Sequence, residues 1–401
     1  MRIYTCTPRE FGGAEDFFIR DSGLLSRGFK AIGVGSMAVM PGARKPEDLD
    51  ELIRTDFKNL ESPEWWMTHD LHGVILYAWG SPRYRHVAAA IRKAGIFLVL
   101  NQDNAGVISP LNGLNPWCEE LWNSTGKGRG AASWRRFSGK MLRDLTIGLL
   151  RTDPLRAVHL RNGDLITCVS PAAADCYRRL CRFYGGEELV KKVRVLPHPV
   201  ERHFNYDGRS KKSRIVCVGR WEDEIQKRTW MLPEVLGPLL SGNETILVSI
   251  AGSPTPQLQA WHSSLPETQR GRVDLMGFAD RDRLAELMGE STVFYSPSAF
   301  ESFGIAAAEA LCCGCSVVAG KSVSMCSFDW FVSENSGCMA VPDTIPAHIS
   351  ALSSEISEWS NGKRDASAIS EVWCSRLHAD KVATLILAMA GPDRISYTPS
   401  E

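Results

Sequence analysis

Short apolar runs alternate with amphipathic helical patterns along most of this chain, and this alternation limits its possible folds more than any other feature. The runs are rich in Val, Ile and Leu, which is typical of parallel strands buried on both faces. Strands of this kind need helical crossovers, which are right-handed and produce doubly wound sheets. Strands are predicted at 2–6, 31–34, 74–78, 97–100, 165–169 and 193–196, and then at 214–218, 245–251, 273–276, 292–296 and 316–319. The pattern therefore predicts an α/β chain with two sheets.

A polar stretch separates the two series of strands. Residues 199–213 (PVERHFNYDGRSKKS) are charged and lack hydrophobic periodicity, as an interdomain linker does. A length of 401 residues corresponds to roughly two to three domains of ~150 residues. We therefore expect a Rossmann-like domain at 1–200, a second one at 201–370, and a C-terminal helix and tail at 371–401 that could pack back on the first domain. Two such domains would face one another across a cleft, a usual place for a ligand.

Charge balance and apolar content exclude two classes of protein. The chain carries 46 Lys and Arg against 46 Asp and Glu, whereas a dedicated nucleic-acid binder needs a basic excess. No apolar run approaches the ~20 residues that span a bilayer, and the N-terminus lacks the apolar segment of an export signal. The twelve cysteines show no zinc-ligand spacing, which favours buried free thiols over a metal site. These features predict a cytoplasmic protein.

The most informative segment is residues 291–320, STVFYSPSAFESFGIAAAEALCCGCSVVAG. A strand leads into a loop, and a helix is predicted to begin near Ser302 and to stop at Gly314. The first amides of a helix and its positive dipole end form an anion site, and Gly304 would let a ligand approach the backbone closely. Glu301 and Glu309 stand eight residues apart in this segment. By itself, the pair also fits a capped helix with two ordinary carboxylates.

The same segment resembles the signature PS-x-x-E-x-F-G-x-x-x-x-E-A. That signature belongs to the retaining nucleotide-sugar glycosyltransferases of family 4, the glycosyl transferases group 1, which have the GT-B fold of two Rossmann-like domains. The match begins at Pro297, and Ser316 stands where the family has Pro before two valines. The resemblance implies that Glu301 lies beside the donor sugar and that Glu309 binds the ribose hydroxyls. It also implies that the diphosphate is held by backbone amides at Ser302, Phe303, Gly304 and Ile305.

A basic pair follows the first strand of the second series. Arg220 in Val-Gly-Arg-Trp, with Lys227 after it, resembles the VGR…K pair of the family. A guanidinium fork and a mobile ammonium both suit a pyrophosphate, so Arg220 and Lys227 are candidate catalytic residues that neutralise the leaving group. Lys227 comes later after Arg220 than in many relatives, and Arg228 therefore competes for its role. The alternative is a set of exposed ion pairs, of little energetic value, with Glu222, Asp223 and Glu224.

Glycines follow two other strands. Gly12 and Gly13 resemble the GGxE loop of the family, where a phosphate approaches the backbone. Gly252 ends the strand at 245–251, where the family has a glycine loop near the nucleotide. Asp280 and Asp282 match the DxD metal motif of a different glycosyltransferase fold, but the helical pattern that follows favours N-capping. We predict no catalytic metal and no tightly bound cofactor.

One departure from the family concerns the strand at 97–100. Relatives place His, often His-Asp, just after this strand, whereas the chain reads Asn101-Gln102-Asp103-Asn104. Asp103 matches the Asp and is a further catalytic candidate. Gln102 stands in the position of the His and cannot exchange protons near neutrality. His198, in the sequence LPHP that resembles the family's IPNPV segment, is given a structural meaning.

Residues 127–161 form a basic segment, with nine Lys and Arg against two Asp. Its apolar residues recur at helical spacing, and the basic ones fall on the opposite arc. The apolar set is Trp134, Phe137, Met141, Leu145 and Leu149, and the basic set is Arg135, Arg136, Lys140 and Arg143. Such a helix could contact the inner face of an anionic membrane or an acidic acceptor. The alternative is an ordinary amphipathic helix that packs on the sheet.

The resemblance implies a retaining, metal-independent hexosyltransferase. It would move a sugar from a UDP- or GDP-type donor to a hydroxyl acceptor, which could be a glycan, a lipid-linked sugar or a small molecule. Glu301 would position the sugar or act as nucleophile, while Arg220, Lys227 and the helix amides stabilise the leaving diphosphate. Two alternatives stay open. One is a non-catalytic sugar-nucleotide or glycan-binding protein, which Gln102 favours, and the other is another GT-B enzyme such as a phosphorylase or an epimerase.

Overall fold

The computed structural model describes residues 1–125 and 130–391, and these form two compact units. The first unit comprises Met1–Cys118, Arg135–Glu201 and Arg376–Glu401, and the second comprises Glu119–Trp134 and Arg202–Ser375. The chain therefore passes into the second unit briefly near residue 119 and finally returns to the first. No sequence pattern predicted the first of these excursions.

The first unit is built on a seven-stranded parallel sheet with the order β3-β2-β1-β4-β5-β6-β7. The order in which strands are added reverses between β1 and β4: β2 and β3 lie on one side of β1, and β4 to β7 lie on the other. The strands are β1 (Ile3–Cys6), β2 (Ala38–Pro41), β3 (Leu52–Thr55), β4 (Gly73–Tyr77), β5 (Phe97–Gln102), β6 (Leu165–Cys168) and β7 (Val193–Val195). The predicted doubly wound sheet is confirmed.

Helices flank this sheet and cover its apolar faces. They are α1 (Glu15–Phe18), α2 (Asp21–Ala31), α3 (Phe57–Leu60), α4 (Pro63–Met67), α5 (Arg85–Lys93), α6 (Leu114–Thr125), α7 (Ala131–Arg143), α8 (Asp153–Arg161) and α9 (Pro171–Val190). Short 3₁₀ helices span Pro82–Tyr84 and Pro110–Asn112, and a π-helix spans Asp144–Thr152. The core beneath α2 is closed by the last helix of the chain, with Phe29, Val382 and Ile386 in one buried cluster.

The second unit has a six-stranded parallel sheet with the order β10-β9-β8-β11-β12-β13, which reverses between β8 and β11. The strands are β8 (Lys212–Val218), β9 (Leu247–Ala251), β10 (Val273–Gly277), β11 (Ser291–Ser296), β12 (Ser316–Gly320) and β13 (Gly337–Ala340). The helices are α10 (Glu224–Lys227), α11 (Met231–Gly242), α12 (Pro256–Ser264), α13 (Glu267–Arg270), α14 (Arg281–Glu290), α15 (Ile305–Cys312), α16 (Phe328–Phe331), α17 (Ile345–Ser360) and α18 (Ala366–Leu377). The last helix, α19 (Ala379–Ala390), belongs to the first unit.

The strand predicted at 31–34 is wrong. Helix α2 continues to Ala31, and Gly33 adopts a left-handed conformation with φ 79°, which ends the helix in a turn. The second strand is β2 instead, and the edge strands β3 and β13 were not predicted. β3 ends in Arg54 and Thr55, and β13 begins with Gly337, so neither has the long aliphatic run of a central strand.

The C-terminal helix expected at 371–401 begins earlier, at Ala366, and divides into α18 and α19 at His378. That residue has an extended backbone with ψ 142°. Val200 N–H donates to the Leu377 carbonyl at 2.7 Å, and Ala379 N–H donates to the Val200 carbonyl at 3.1 Å. Two hydrogen bonds with a distant segment thus replace helical ones, and α19 is free to pack on α2. Gly28 permits this contact, since a Cβ there would lie 2.3 Å from the Ala379 carbonyl oxygen.

The basic segment differs from a regular amphipathic helix. Residues 127–129 of it lie outside the described residues. After Arg143 the chain winds as a π-helix, so the spacing assumed for Leu145 and Leu149 no longer holds. Three apolar side chains face solvent instead: Leu142, Ile147 and Leu150 are 64%, 56% and 82% exposed. None of these three belongs to the predicted apolar set, in which Trp134 and Leu145 are 59% and 38% exposed.

None of the helices among the described residues is long and apolar enough to cross a bilayer. The predicted free thiols are confirmed, since each of the twelve cysteines is unbridged.

Candidate active site

The two motifs of the second unit meet where its sheet reverses. β8 leads into Arg220, and the neighbouring β11 leads into Glu301. Open α/β sheets bind ligands beyond the carboxyl ends of the strands at such a reversal. Two segments about eighty residues apart in the sequence thus reach one edge of one sheet.

Lys227 and Glu301 form an ion pair at this edge. The Lys227 ammonium contacts the Glu301 carboxylate at Oε1, and the two side chains are 16% and 12% exposed. The Asp223 side chain caps the short helix α10 by accepting from Gln226 N–H at 3.2 Å, which fixes the backbone that carries Lys227. An ammonium has three donors, so Lys227 retains hydrogen-bonding capacity beyond Glu301.

Gln226 is a site residue that the sequence analysis missed. Its amide nitrogen donates to Glu301 Oε2 at 3.1 Å and to the Phe300 carbonyl at 3.1 Å. The backbone carbonyl of Gln226 accepts from Ala299 N–H at 2.8 Å. Ser298 Oγ donates to Glu301 Oε1 at 3.0 Å. Both oxygens of Glu301 are therefore held in place. The only sequence signal was the position of Gln226 directly before Lys227.

Arg220 and Arg228 have different surroundings. Arg220 is 71% exposed, and its Nη2 lies 3.4 Å from Gln226 Oε1. Arg228 is bound on all sides: it donates to the Pro297 carbonyl, to the Ser298 carbonyl at 3.0 Å, and to both oxygens of Asp343 at 2.8 and 3.0 Å. Arg228 therefore holds the loop before Glu301, while Arg220 is open to a ligand.

The helix after Glu301 begins at Ile305 and not at Ser302 as predicted. Glu301 N–H donates to the Ser324 carbonyl at 2.8 Å, and the Ser302 carbonyl accepts from Ser327 Oγ at 3.0 Å. Gly304 then takes a left-handed conformation with φ 84°, which an α-helix cannot include. The Phe303 ring is buried, so only its backbone can face a ligand. The free first-turn amides of α15 start one turn later than expected.

Glu309 lies on α15 with an arginine partner that the sequence analysis missed. Arg281 Nη2 is 2.8 Å from Glu309 Oε1, and the Glu309 side chain is 4% exposed. The Arg281 guanidinium in turn lies over the Phe204 ring, 4.6 Å from its centroid. Arg281 follows Asp280, whose side chain accepts from Arg283 N–H at 2.8 Å, so the predicted N-cap is confirmed. A carboxylate can accept several donors, and this ion pair leaves capacity for hydroxyls.

Gly252 has a packing reason to be glycine. Its φ is 116°, and a Cβ would lie 1.9 Å from the Gly219 carbonyl oxygen. Gly252 N–H donates to the Gly277 carbonyl at 2.7 Å. The ends of β8, β9 and β10 therefore approach one another closely at this position, which lies on the same sheet edge as Arg220.

The two glycines of the first unit have different environments. Gly12 lines a cavity of about 240 Å³ at the reversal between β1 and β4. Gly13 faces protein, because a Cβ there would lie 2.2 Å from Asp48 Oδ1. Asp48 is itself bound by the buried guanidinium of Arg54 at 2.8 Å. Gly12 thus has access to a ligand, whereas Gly13 supports the loop.

Asp103 lines the same cavity and is paired with His198, which the sequence analysis had treated as structural. His198 Nε2 lies 2.7 Å from Asp103 Oδ1, and Nδ1 lies 3.4 Å from Asp21 Oδ1. Gln102 takes no part in this cluster, since it is buried and its amide donates to the Leu100 carbonyl at 3.1 Å. A histidine therefore does stand beside Asp103, but it comes from a different strand end.

The cluster shifts the pKa values of its members. Burial lowers the pKa of His198, but the carboxylates of Asp103 and Asp21 outweigh this and raise it to about 9. Burial raises the pKa of Asp21. Burial also opposes ionisation of Asp103, yet the charge and hydrogen bond of His198 and a hydrogen bond from Trp79 lower its pKa. One atom from each of Asp21, Asp103 and His198 lies within 4.8 Å of the others, as the ligands of a metal ion can.

Comparison with known proteins agrees with the fold and with one part of the sequence. Residues 212–355 match the family model of the glycosyl transferases group 1, which confirms the resemblance noted at 291–320. No curated protein sequence matches the chain.

Solved structures match nearly the whole chain. The lipopolysaccharide outer core galactosyltransferase WaaB is 15% identical with a TM-score of 0.63, covering 97% of this chain and 99% of that chain. HepE of Anabaena, in complex with UDP and glucose, is 14% identical with a TM-score of 0.58, covering 97% and 98%. A protein assigned as a UDP-N-acetylglucosamine 2-epimerase from Listeria monocytogenes is 11% identical with a TM-score of 0.55, covering 100% and 98%. The predicted GT-B fold is confirmed.

Proposed function

We propose that this protein is a retaining glycosyltransferase that moves a sugar from a nucleotide diphosphate sugar to a hydroxyl acceptor without a metal ion. The observation that carries the proposal is the group formed by Lys227, Glu301 and the first amides of α15 at the reversal of the second sheet. Cations and amides beside a carboxylate suit a ligand in which a diphosphate is joined to a sugar. HepE, with its UDP and glucose, supports a UDP-type donor.

The leaving diphosphate is the species that most needs stabilisation. Arg220, open to solvent, approaches the phosphates as a fork, and Lys227 supplies a second charge. The backbone amides of Ser302–Ile305 add neutral donors. Ile305, the first residue of α15, also lies at the positive end of the helix dipole. These groups are already oriented before the C–O bond breaks, and such preorganised electrostatics are usually the largest catalytic contribution. They would take the place of a divalent cation.

Glu301 sits beside these donors with both oxygens held. In the proposal it orients the hydroxyls of the donor sugar and stabilises positive charge that develops at the anomeric carbon. The acceptor attacks from the side on which the diphosphate departs, and the departing phosphate takes its proton. The configuration is thereby retained. A double displacement with Glu301 as nucleophile gives the same stereochemistry.

Glu309 and Gly252 belong to the nucleotide end of the donor. Glu309 accepts from the ribose hydroxyls, and the ion pair with Arg281 orients its carboxylate. Gly252, where three strand ends crowd together, leaves backbone rather than side chain towards the base. Gly12 of the first unit likewise leaves backbone rather than side chain towards the cavity that it lines, while Gly13 only supports that loop.

An assay of nucleotide release tests this function. The protein is incubated with UDP- and GDP-sugars and a panel of hydroxyl acceptors, with and without EDTA. We expect acceptor-dependent release that survives EDTA, and proton NMR of the product should show the anomeric configuration of the donor. Nucleotide binding without release would favour the binding-protein alternative. Conversion of the donor sugar to its epimer would favour an epimerase, to which one similar structure is assigned.

The segment after Arg135 supports a further part of the proposal, peripheral contact with an anionic membrane. Leu142, Ile147 and Leu150 are exposed, and Arg143 and Arg151 flank them in sequence. Exposed apolar side chains next to basic ones are typical of a helix that lies in a membrane interface. This arrangement suits an enzyme whose acceptor is lipid-linked.

Flotation with vesicles tests the membrane contact. We expect the protein to float with vesicles of phosphatidylcholine containing 30 mol% phosphatidylglycerol, and much less with phosphatidylcholine alone. Substituting Leu142, Ile147 and Leu150 by Ser should reduce the bound fraction several-fold. Phe278→Ser is the control, since Phe278 is an exposed side chain of the second unit. Equal binding by the triple variant and the native protein would contradict the contact.

A further inference from the structure

The cavity of the first unit lies at the second sheet reversal of the molecule, the one between β1 and β4. Its volume is about 240 Å³, and Tyr77 and Trp79 at the end of β4 and Asp103 after β5 line it. The start of α2 contributes Asp21. Strand ends at a reversal are where such sheets bind ligands. None of the residues assigned to the donor in the second unit belongs to this cavity.

Aromatic side chains form part of its wall. Phe11 and Trp79 both line the cavity, with ring centroids 6.2 Å apart in an edge arrangement. The Trp79 side chain also hydrogen bonds to Asp103, so ring and carboxylate are fixed relative to one another. A small cavity with aromatic faces and a few oriented polar groups suits a ring that has an apolar face and a polar edge.

The polar groups of the lining accept hydrogen bonds more than they donate them. Asp16, Asp21 and Asp103 line the cavity against a single guanidinium, that of Arg20. Ionised carboxylates only accept, so they suit hydroxyl or ammonium donors. A phosphate or carboxylate would meet like charges, which destabilises binding.

His198 stands behind this lining and fixes it. It is almost fully buried, and its two ring nitrogens face Asp103 at 2.7 Å and Asp21 at 3.4 Å. An imidazolium between two carboxylates orients both and keeps Asp103 ionised. A carboxylate that accepts from His198 and Trp79 can still accept a further donor. No other group of the proposed mechanism uses this histidine.

We infer that this cavity binds the acceptor through a sugar ring that is uncharged or carries an amino group, and that it rejects a ring carrying phosphate or carboxylate. Asp103 binds a hydroxyl of that ring, and His198 is the positioning residue of Asp103. The assignment of the ligand as an acceptor rests on the proposed function, whereas the selectivity rests on the cavity itself.

Binding experiments on the full-length protein test this selectivity. The probes are methyl glycosides of glucose, galactose and glucosamine, each compared with the corresponding 6-phosphate by saturation-transfer NMR and titration. We expect the glycosides to bind at least tenfold more tightly than the phosphates. Asp103→Asn should weaken glycoside binding at least tenfold, and so should Phe11→Ser, which alters a half-exposed wall residue. Asp175→Asn, a change in an exposed side chain of the same unit, should have no effect.

His198→Gln distinguishes positioning from simple support. Glutamine keeps a hydrogen bond to Asp103 but carries no charge. In the native protein, glycoside affinity should fall as pH rises through the pKa of His198, which is about 9. The other titratable groups that face His198 are Asp103, Asp21, Arg20 and Tyr77. Tyr77 stays neutral in this range because burial raises its pKa further. The variant should bind more weakly at pH 7 and show no such fall. Thermal unfolding of each variant checks that the fold is intact.

Three results would overturn the inference. They are phosphates binding as tightly as the glycosides, no glycoside binding at all, or glycoside binding unaffected by both Asp103→Asn and Phe11→Ser. Loss of glycoside binding in EDTA, with recovery on adding MnCl₂ or ZnCl₂, would show a metal site at Asp21, Asp103 and His198 instead. UDP affinity is measured in parallel. If UDP fails to bind while glycosides bind as expected, the proposed function fails and the selectivity of the cavity stands.

Discussion

Lys227 and Glu301 are the two residues on which the proposed chemistry depends most. Lys227→Met removes the ammonium but leaves Glu301 its donors from Gln226 and Ser298. We expect kcat for nucleotide release to fall by about 10²–10³, because one preorganised charge on the leaving group is lost. The control is Lys321→Met, which removes an exposed ion pair with Asp329 and should leave kcat unchanged. Unaltered turnover in the Lys227 variant would contradict its role.

Glu309 gives a separate prediction about the nucleotide. Glu309→Gln keeps the shape of the side chain but removes its charge towards both Arg281 and the ribose. We expect the Kd for UDP, measured by calorimetry, to rise about tenfold, which corresponds to ~1.4 kcal/mol. Glu286→Gln, on the exposed face of α14, should leave Kd unchanged. An equal effect of the two substitutions would argue against the ribose assignment.

Glu301 and Glu309 could be predicted because they are close together in the sequence. Glu301 and Glu309 belong to one strand-loop-helix segment, so their spacing alone puts them near one another. Gln226 and Arg281 could not be found in this way, because their contacts with these carboxylates depend on how separate turns are folded. The same holds for Arg228, whose competition with Lys227 is decided by the carbonyl groups of another loop.

At the scale of an element, the start of α15 depends on Gly304. An alanine there would have to adopt φ 84°, and its Cβ would lie 2.7 Å from the Phe328 ring. We expect Gly304→Ala to destabilise the protein by about 2–4 kcal/mol through strain and overpacking, as measured by denaturant unfolding. Gly95→Ala is the control, because Gly95 has φ 77° but no atom near the added Cβ, and it should cost about 1 kcal/mol. Equal losses would mean that the Phe328 contact is relieved without cost.

The strand pattern predicted two of the four edge strands, β7 and β10, and missed the edge strands β3 and β13 and the interior strand β2. β4 and β11 are buried along their length and β5 along all but its first residue, so each requires an apolar run in its sequence. β3 carries Arg54 on an edge and has no such requirement. The π-helix at Asp144–Thr152 has no residue pattern that separates it from an α-helix.

At the scale of the molecule, the His198 cluster predicts how stability changes with pH. The pKa of His198 is about 9 in the folded protein and close to 6.5 when unfolded. Its ion pairs therefore stabilise the fold fully below pH 6.5, and this contribution is lost as pH rises through 9. We expect the native protein to lose about 1–3 kcal/mol more stability than His198→Gln between pH 6.5 and 9.5, measured by urea unfolding at each pH. Parallel curves would contradict the raised pKa.

The contact between His198 and Asp103 could not be predicted from the sequence. His198 and Asp103 are ninety-five residues apart, and each follows a different strand. They meet only because β5, β6 and β7 lie side by side, an order that the strand pattern does not specify. The resemblance to a family places a histidine at Gln102, whereas the histidine beside Asp103 in the structure is His198.

The return of the chain to the first unit has a consequence for its biosynthesis. Val382 and Ile386 complete the core around Ile3 and Phe29. This core therefore cannot form during synthesis until α19 has been made. The second unit comprises Glu119–Trp134 and Arg202–Ser375. All its strands leave the ribosome before α19 does. We expect the unit synthesised later to reach its native state first, and the sheet of the first unit to need protection from aggregation until α19 has left the ribosome.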